Sequence, residues 1–288
     1  MIGVFDSGFG GLGVLRALRS ALPQRDFVYL GDSGRAPYGG RDVDVILDFS
    51  EQAVERLFEE GCRLVVIACN TVSCVALRHL QQRYAGPGSD RRILGVTIPG
   101  AEAAVRVSER HIGLLATSRT IASGTYHAEI AKLGPHRVTA KAAPLLAPIV
   151  EEGWEDTDIA RLAVARYIAD LGDVDTVLLG CTHYPHLERA FRAALPSHVR
   201  VVDPAPFVAE RLVDWLERHP EFDTLSQETA PLRVLCTGDP ESFARHGARF
   251  LGEPLSNVAH VAEVGGRLAH RDPAAAPTGQ VVRAVVRA

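Results

Sequence analysis

Two cysteines in this chain stand in matching surroundings. "ACNT" holds Cys69 and "GCTHYP" holds Cys181, each just past a short apolar run, "LVVI" and "VLLG". Such runs are strands buried on both faces of a parallel sheet, and open α/β sheets place their ligands beyond the C-terminal ends of such strands. Small hydrogen-bonding residues follow each cysteine, Asn70 and Thr71 in one case, Thr182 and His183 in the other. Two thiols facing one cleft have three chemical uses. They could ligate a metal with His183, although four-coordinate zinc normally takes close pairs such as C-x2-C, and Cys69 and Cys74 are too far apart for that. They could form a redox disulfide, although neither lies in C-x-x-C. Or one could be a thiolate base and the other a thiol acid, on opposite faces of one substrate carbon. A free thiol titrates at about 8.5, so this last use needs activation by helix N-termini or neighbouring groups. Cys62, Cys74 and Cys236 read instead as small buried hydrophobes.

The opening "IGVFDSGFGGLGVL" bears on the same site. Gly8, Gly10 and Gly13 have the G-x-G-x-x-G spacing that cradles a dinucleotide pyrophosphate after a first strand. Asp6 and Ser7 stand where that strand ends, and a carboxylate there would repel a phosphate. Alone, such an aspartate would cap a helix or form a turn, and a lone histidine would be structural. With the cysteine pair, Asp6 and His183 become proton-handling groups, one near each thiol. The glycine loop then reads as a tight turn that brings Asp6 and Ser7 close to a small substrate.

The elements that must position these residues alternate strand, turn and helix. Ile2 to Phe5 is a strand, and Leu12, Leu15 and Leu18 follow at helical spacing. Phe27 to Leu30 is a second strand, ended by the turn-rich "GDSGRAPYGGR". Asp42 to Glu60 has helical periodicity and stops at Gly61, and Leu64 to Ala68 is a buried strand. A second round begins with "IGLLATSRTIASGTY". Ile112 lies 110 residues after Ile2, and Cys181 lies 112 after Cys69. Two unrelated features at nearly one offset indicate a duplicated α/β unit. The expected fold is two similar, doubly wound α/β domains with mainly parallel sheets, related by a pseudo-twofold, with the active site in the cleft between them. Residues 1–93 and 204–265 are expected to form the first domain, 94–203 the second, and 266–288 a peripheral tail.

A length of 288 residues suits two such domains. Hydrophobic content of 47% with 23% charged residues indicates a compact α/β protein, and a net charge of −4 without a basic run gives no support to nucleic-acid binding. No apolar stretch approaches the roughly 20 residues of a membrane span. The N-terminus enters a strand without the basic start of a signal peptide, and five scattered cysteines suit free thiols in a reducing cytoplasm.

Together "FDSGFGGL", "APYGGR", "ACNT", "ATSRTIASGTY", "GCTHYP" and "TGDPESF" resemble the glutamate racemases, of the cofactor-independent aspartate/glutamate racemase superfamily. The resemblance covers roughly residues 2 to 265, in order and spacing. It implies reversible conversion of L-glutamate to D-glutamate for bacterial peptidoglycan, hence for cell wall and cell shape, without pyridoxal phosphate or metal. By position it makes Cys69 and Cys181 the two acid/base residues, with Asp6 the partner of Cys69 and His183 that of Cys181. The substrate contacts it implies are Asp6, Ser7, Tyr38, Gly39, Asn70, Thr71, Thr182 and His183, joined by Thr117 and Thr120, with Glu151 a further acid near the cleft. It also implies a cytoplasmic homodimer with no nucleic-acid or membrane partner. The chain departs from the pattern at Ala143, where many relatives carry another cysteine; alanine has no thiol chemistry, so that position lies outside the mechanism.

Overall fold

Apolar strands alternate with amphipathic helices in the computed structural model, which describes residues 1–223 and 232–271. The strands are β1 (Ile2–Asp6), β2 (Phe27–Gly31), β3 (Leu64–Ile67), β4 (Arg92–Gly95), β5 (His111–Ala116), β6 (Arg137–Ala142), β7 (Thr176–Gly180), β8 (Arg200–Val202), β9 (Arg233–Cys236), β10 (Val258–Val264) and β11 (Arg267–His270). They form a seven-stranded sheet in the order β11-β10-β9-β2-β1-β3-β4 and a four-stranded sheet in the order β6-β5-β7-β8. Neighbours run parallel except β10 and β11. The α/β class with mainly parallel sheets is as expected. The sets β2-β1-β3-β4 and β6-β5-β7-β8 also repeat one strand order, as a duplicated unit requires.

Parallel neighbours need helical crossovers, and the helices cover both faces of the central strands. In β1 every residue is buried. Ile2 and Val4 face one core with Leu12, Leu15 and Leu18 of the helix Gly11–Ala21. Phe5 faces the other with Val54, Leu57 and Phe58 of the helix Val43–Glu59. That is why β1 reads as a continuous apolar run rather than an alternating one. The first core continues into the second sheet through Leu115, Val177 and Leu179. A third cluster, with Ile112, Leu114 and Leu178, lines the opposite face of that sheet.

The chain passes from the first sheet to the second after Gly95, through the helix Thr97–Val107, and leaves the second sheet after Val202. The helix Ala205–Arg218 then packs on Gly11–Ala21, and β9 pairs with β2. One boundary differs from expectation. The stretch set aside as a tail from residue 266 contains β11, whose Leu268 is buried and whose His270 bonds to Glu60. Gly265 and Gly266 both have positive φ, the two-residue turn of a tight hairpin, and it is this turn that returns the chain along β10. Residues 272–288 of that tail lie outside the described residues. Among the described residues no helix is long and apolar enough to cross a membrane.

Candidate active site

Cys69 lies two residues beyond β3 and immediately before the helix Asn70–Val75. Its Sγ is 3.3 Å from Ser7 Oγ. Asp6 ends the neighbouring strand β1 and is buried; its Oδ1 accepts the Gly8 N–H at 2.9 Å, while its Oδ2 is buried without a hydrogen-bond partner. Burial raises the Asp6 carboxyl, partly offset by the His183 charge and the Gly11 and Gly8 N–H groups. Burial also pushes the Cys69 thiol up to about 12, and the Asp6 carboxylate adds to the effect. Without a ligand, Cys69 therefore stays a thiol.

Cys181 directly follows β7, and its Sγ is 3.9 Å from His183 Nδ1. The other ring nitrogen, Nε2, is 3.0 Å from Glu151 Oε1. Burial opposes an imidazolium here, but the contacts with Cys181 and Glu151 outweigh it and hold His183 up to about 10. The adjacent His186 is driven down to about 4, by burial first and then by the His183 charge. Of the two histidines, His183 carries the proton. The cysteines thus have unlike neighbours, a carboxylate beside Cys69 and a cation beside Cys181.

The two halves meet around these groups. Thr71 Oγ1 is 2.9 Å from Thr117 Oγ1 and 3.3 Å from Thr120 Oγ1, and the last two are 2.9 Å apart. Thr117 also caps the helix Ser118–Ser123. Gly39 lies against it: a Cβ there would come within 2.8 Å of Thr117 Cβ, and the Gly39 carbonyl accepts the Arg119 N–H at 2.9 Å. Asn70 Oδ1 accepts the Tyr126 hydroxyl, which leaves its Nδ2 as a donor. The Tyr38 hydroxyl is engaged by Asp32, so the Tyr38–Gly39 loop can offer the cleft its backbone and ring.

Gly10 explains the glycine loop. A Cβ there would overlap Thr182 Oγ1 and come within 2.7 Å of His183 Nδ1, and one at Gly11 would meet Asp6 Cβ at 2.5 Å. At Gly8 and Gly13, the outer positions of the dinucleotide spacing, it would meet nothing within 4 Å. Gly10 is required where the backbone meets the other half, and Gly11 where it packs on Asp6 of its own half. Gly10→Ala is expected to cost about 1–3 kcal/mol of overpacking, tolerable for folding, while displacing Thr182 and His183. Steady-state kinetics should show kcat/KM reduced by at least about 10-fold, as misplacement of catalytic groups entails. Gly13→Ala should leave it unchanged; equal effects at the two positions would refute this account.

Several contributors escaped the sequence reading. Asp32 is fully buried and accepts bonds from Arg35 Nε at 2.8 Å, from Tyr38 and from Thr237 Oγ1 at 2.6 Å, fixing the loop that carries Gly39. Tyr29 Oη donates to the Gly8 carbonyl at 2.9 Å, and the Phe250 ring lies 5.2 Å from that of His183. Asp32 and Thr237 sit in "GDS" and "TGDPESF", whose signal was present but unassigned. Cys62 and Cys236 are buried in the cores as expected, whereas Cys74 is half-buried with Sγ 3.5 Å from Thr97 Oγ1. All five cysteines are free, and among the described residues no three His, Cys, Asp or Glu side chains form a group able to hold a metal ion.

A fold of two mainly parallel sheets with a thiol at the end of the third strand of each set defines a class of protein, and comparison with known proteins gives the same class. The family described as Asp/Glu/Hydantoin racemase matches residues 14–212. A glutamate racemase of Geobacter metallireducens is 38% identical over 264 residues, covering 90% of this chain and 96% of that protein. Among solved structures, a glutamate racemase isoform of Bacillus anthracis superposes with a TM-score of 0.84 at 33% identity, over 93% of this chain and 98% of that one. The glutamate racemase of Francisella tularensis, solved in complex with D-glutamate, gives 0.82 at 30% identity over 91% and 97%. The chain belongs to the Asp/Glu/Hydantoin racemase family.

Proposed function

We propose that this protein interconverts L-glutamate and D-glutamate by proton transfer between Cα and two thiols, Cys69 and Cys181. The observation that carries the reading is the pair itself: two buried cysteines at equivalent ends of β3 and β7, Cys69 beside the charge of Asp6 and Cys181 beside His183. The glutamate racemases to which the chain is similar supply the substrate.

Removing an α-proton requires a carbanion beside a carboxylate, so donors to that carboxylate stabilise the transition state. Asn70 Nδ2, the hydroxyls of Ser7, Thr71, Thr117, Thr120 and Thr182, and the N–H groups around Tyr38 and Gly39 supply them. The unpartnered Asp6 Oδ2 accepts from the substrate ammonium, whose positive charge relieves the repulsion between Asp6 and Cys69. In the L-to-D direction the Cys181 thiolate takes the α-proton and becomes a thiol, the electron pair moves into the carboxylate, and Cys69 gives its proton to the opposite face and becomes a thiolate. The reverse reaction exchanges the roles. His183, charged and held by Glu151, is the counter-ion that Cys181 needs as thiolate. Closure of the two halves excludes water that would protonate the carbanion from either side.

The reading carries the remaining implications of the family resemblance: a cytoplasmic homodimer that supplies D-glutamate for peptidoglycan. The experiment is circular dichroism of L-glutamate, D-glutamate and L-aspartate incubated with the protein, with no added cofactor and with EDTA present. Both glutamate enantiomers should drift to the racemate. Racemisation of aspartate alone, or activity lost to EDTA and restored by a metal, would refute the proposal.

A further inference from the structure

We propose that Arg249 is a positioning residue for the Cys181 side of the reaction: by capping the helix that ends at Glu151, it holds that carboxylate against His183. The inference rests on the two-thiol reading above and deepens it. Glu151 is the last residue of the helix Leu146–Glu151, and its Oε1 is 3.0 Å from His183 Nε2. Arg249 reaches this helix end from another element, the helix Pro240–Leu251 that follows β9. Its Nη2 donates to the Val150 carbonyl at 3.2 Å and to Glu155 Oε1 at 2.5 Å. Glu155 stands just past the turn that ends the helix, where the Gly153 N–H also returns to Val150 O at 3.0 Å. The Val150 carbonyl thus accepts a second bond, from a cation, at a helix C-terminus, where positive charge is favoured. Glu155 is half-buried and its second oxygen has no partner, so Arg249 is what anchors its side chain, beside the backbone bonds that close the turn.

The adjacent residue bears on the imidazole itself. Phe250 is buried, with its ring 5.2 Å from His183 at 74° and 4.5 Å from His186 at 63°. One turn of the helix Pro240–Leu251 therefore fixes both ends of the Glu151–His183 contact, the carboxylate through Arg249 and the ring through Phe250. On the Cys69 side Asp6 is held differently, by its place in β1 and by the Gly8 N–H. Loss of Arg249 should loosen one half-reaction and spare the other.

The test must read that asymmetry. Enantiomers have equal free energy, so kcat/KM is the same in both directions for every variant, and isotope effects are the discriminating measure. When proton transfer at Cys181 is slowed, the enantiomer deprotonated by Cys181 shows a larger α-deuterium effect. The other enantiomer, deprotonated by Cys69 before the slow step, shows a smaller one. His183→Asn and Asp6→Asn calibrate the two opposite patterns. Arg249→Met should lower kcat on the order of 10-fold, less than the roughly 10²–10⁴-fold of a general acid–base group. It should shift the isotope effects in the sense of His183→Asn, and Arg249→Lys should recover part of both. Unchanged effects, equal shifts for both enantiomers, or the pattern of Asp6→Asn would overturn the inference. If Arg249→Met does not fold, Glu155→Gln is read by the same criteria. A wild-type protein that leaves glutamate optically unchanged would instead defeat the proposed function, before any variant is made.

Discussion

Replacing either Cys69 or Cys181 by alanine is expected to abolish racemisation of glutamate. On the proposed mechanism, one sulfur takes a proton and the other gives one, and no neighbour can do either in its place. Ser7 Oγ, next to Cys69, is a far weaker acid, and His183 faces Cys181 through Nδ1 while Glu151 occupies its Nε2. General acid–base groups contribute about 10²–10⁴-fold each, and losing the only group on one face of Cα should reach at least the upper end. Removing a buried sulfur leaves a small cavity, so thermal melts of the two variants should stay near wild type. Cys62→Ala, Cys74→Ala and Cys236→Ala, none of which has a cysteine at the matching place in the other half, should retain most activity. A near-normal kcat in either Cys69→Ala or Cys181→Ala would show that the two thiols do not do the chemistry.

The second large effect is isotopic. With the reaction run in D2O from L-glutamate, the D-product formed at low conversion should be almost fully deuterated at Cα, while the remaining L-substrate stays protiated. Two separate acid/base groups require this. The donor on the far face has exchanged with solvent before binding, and the base retains the proton it has just taken. Starting from D-glutamate the same asymmetry should appear with the enantiomers exchanged. Mass spectrometry or proton NMR of the separated enantiomers reads it directly. A single base moving between faces would return substrate hydrogen to much of the product, so a mostly protiated product would sink the two-thiol geometry.

What could be read in the sequence follows from the range of the interactions involved. β1, β3, β5 and β7 are buried on both faces, so they spell unbroken apolar runs, and the residues just beyond them announce themselves by contrast. The common offset of the two halves then singled out Cys69 and Cys181 from the other cysteines. The contacts that cross between halves were not legible. Asn70 and Tyr126, or Thr71 and Thr117, bond across long sequence separations that no local pattern encodes. The opening glycines show the same limit in reverse. Their spacing matched a nucleotide loop, yet the two that the fold needs, Gly10 and Gly11, are set by Thr182, His183 and Asp6, which only the folded chain brings near. β11 was missed because its alanine- and arginine-rich surroundings masked a hairpin that Gly265 and Gly266 had signalled.

The seam between the halves behaves like a book with a spine and a fore-edge. Along the spine the core is shared, running from Leu12 and Leu15 through Leu115 and Leu179, and parting it would expose leucines whose burial is worth about 1.5–3 kcal/mol each. Along the fore-edge Thr71 of one half bonds to the hydroxyls of Thr117 and Thr120 of the other, and the Gly39 carbonyl accepts the Arg119 N–H. Water can replace every one of those bonds, at a net cost of roughly 0.5–1.5 kcal/mol apiece. The contacts that cost least to part are therefore those at the threonines, and those that cost most are the leucines. On the proposed function, the polar fore-edge is the side where a dicarboxylate meets the lower cost of desolvation, and the leucine spine is the side that holds the two halves together.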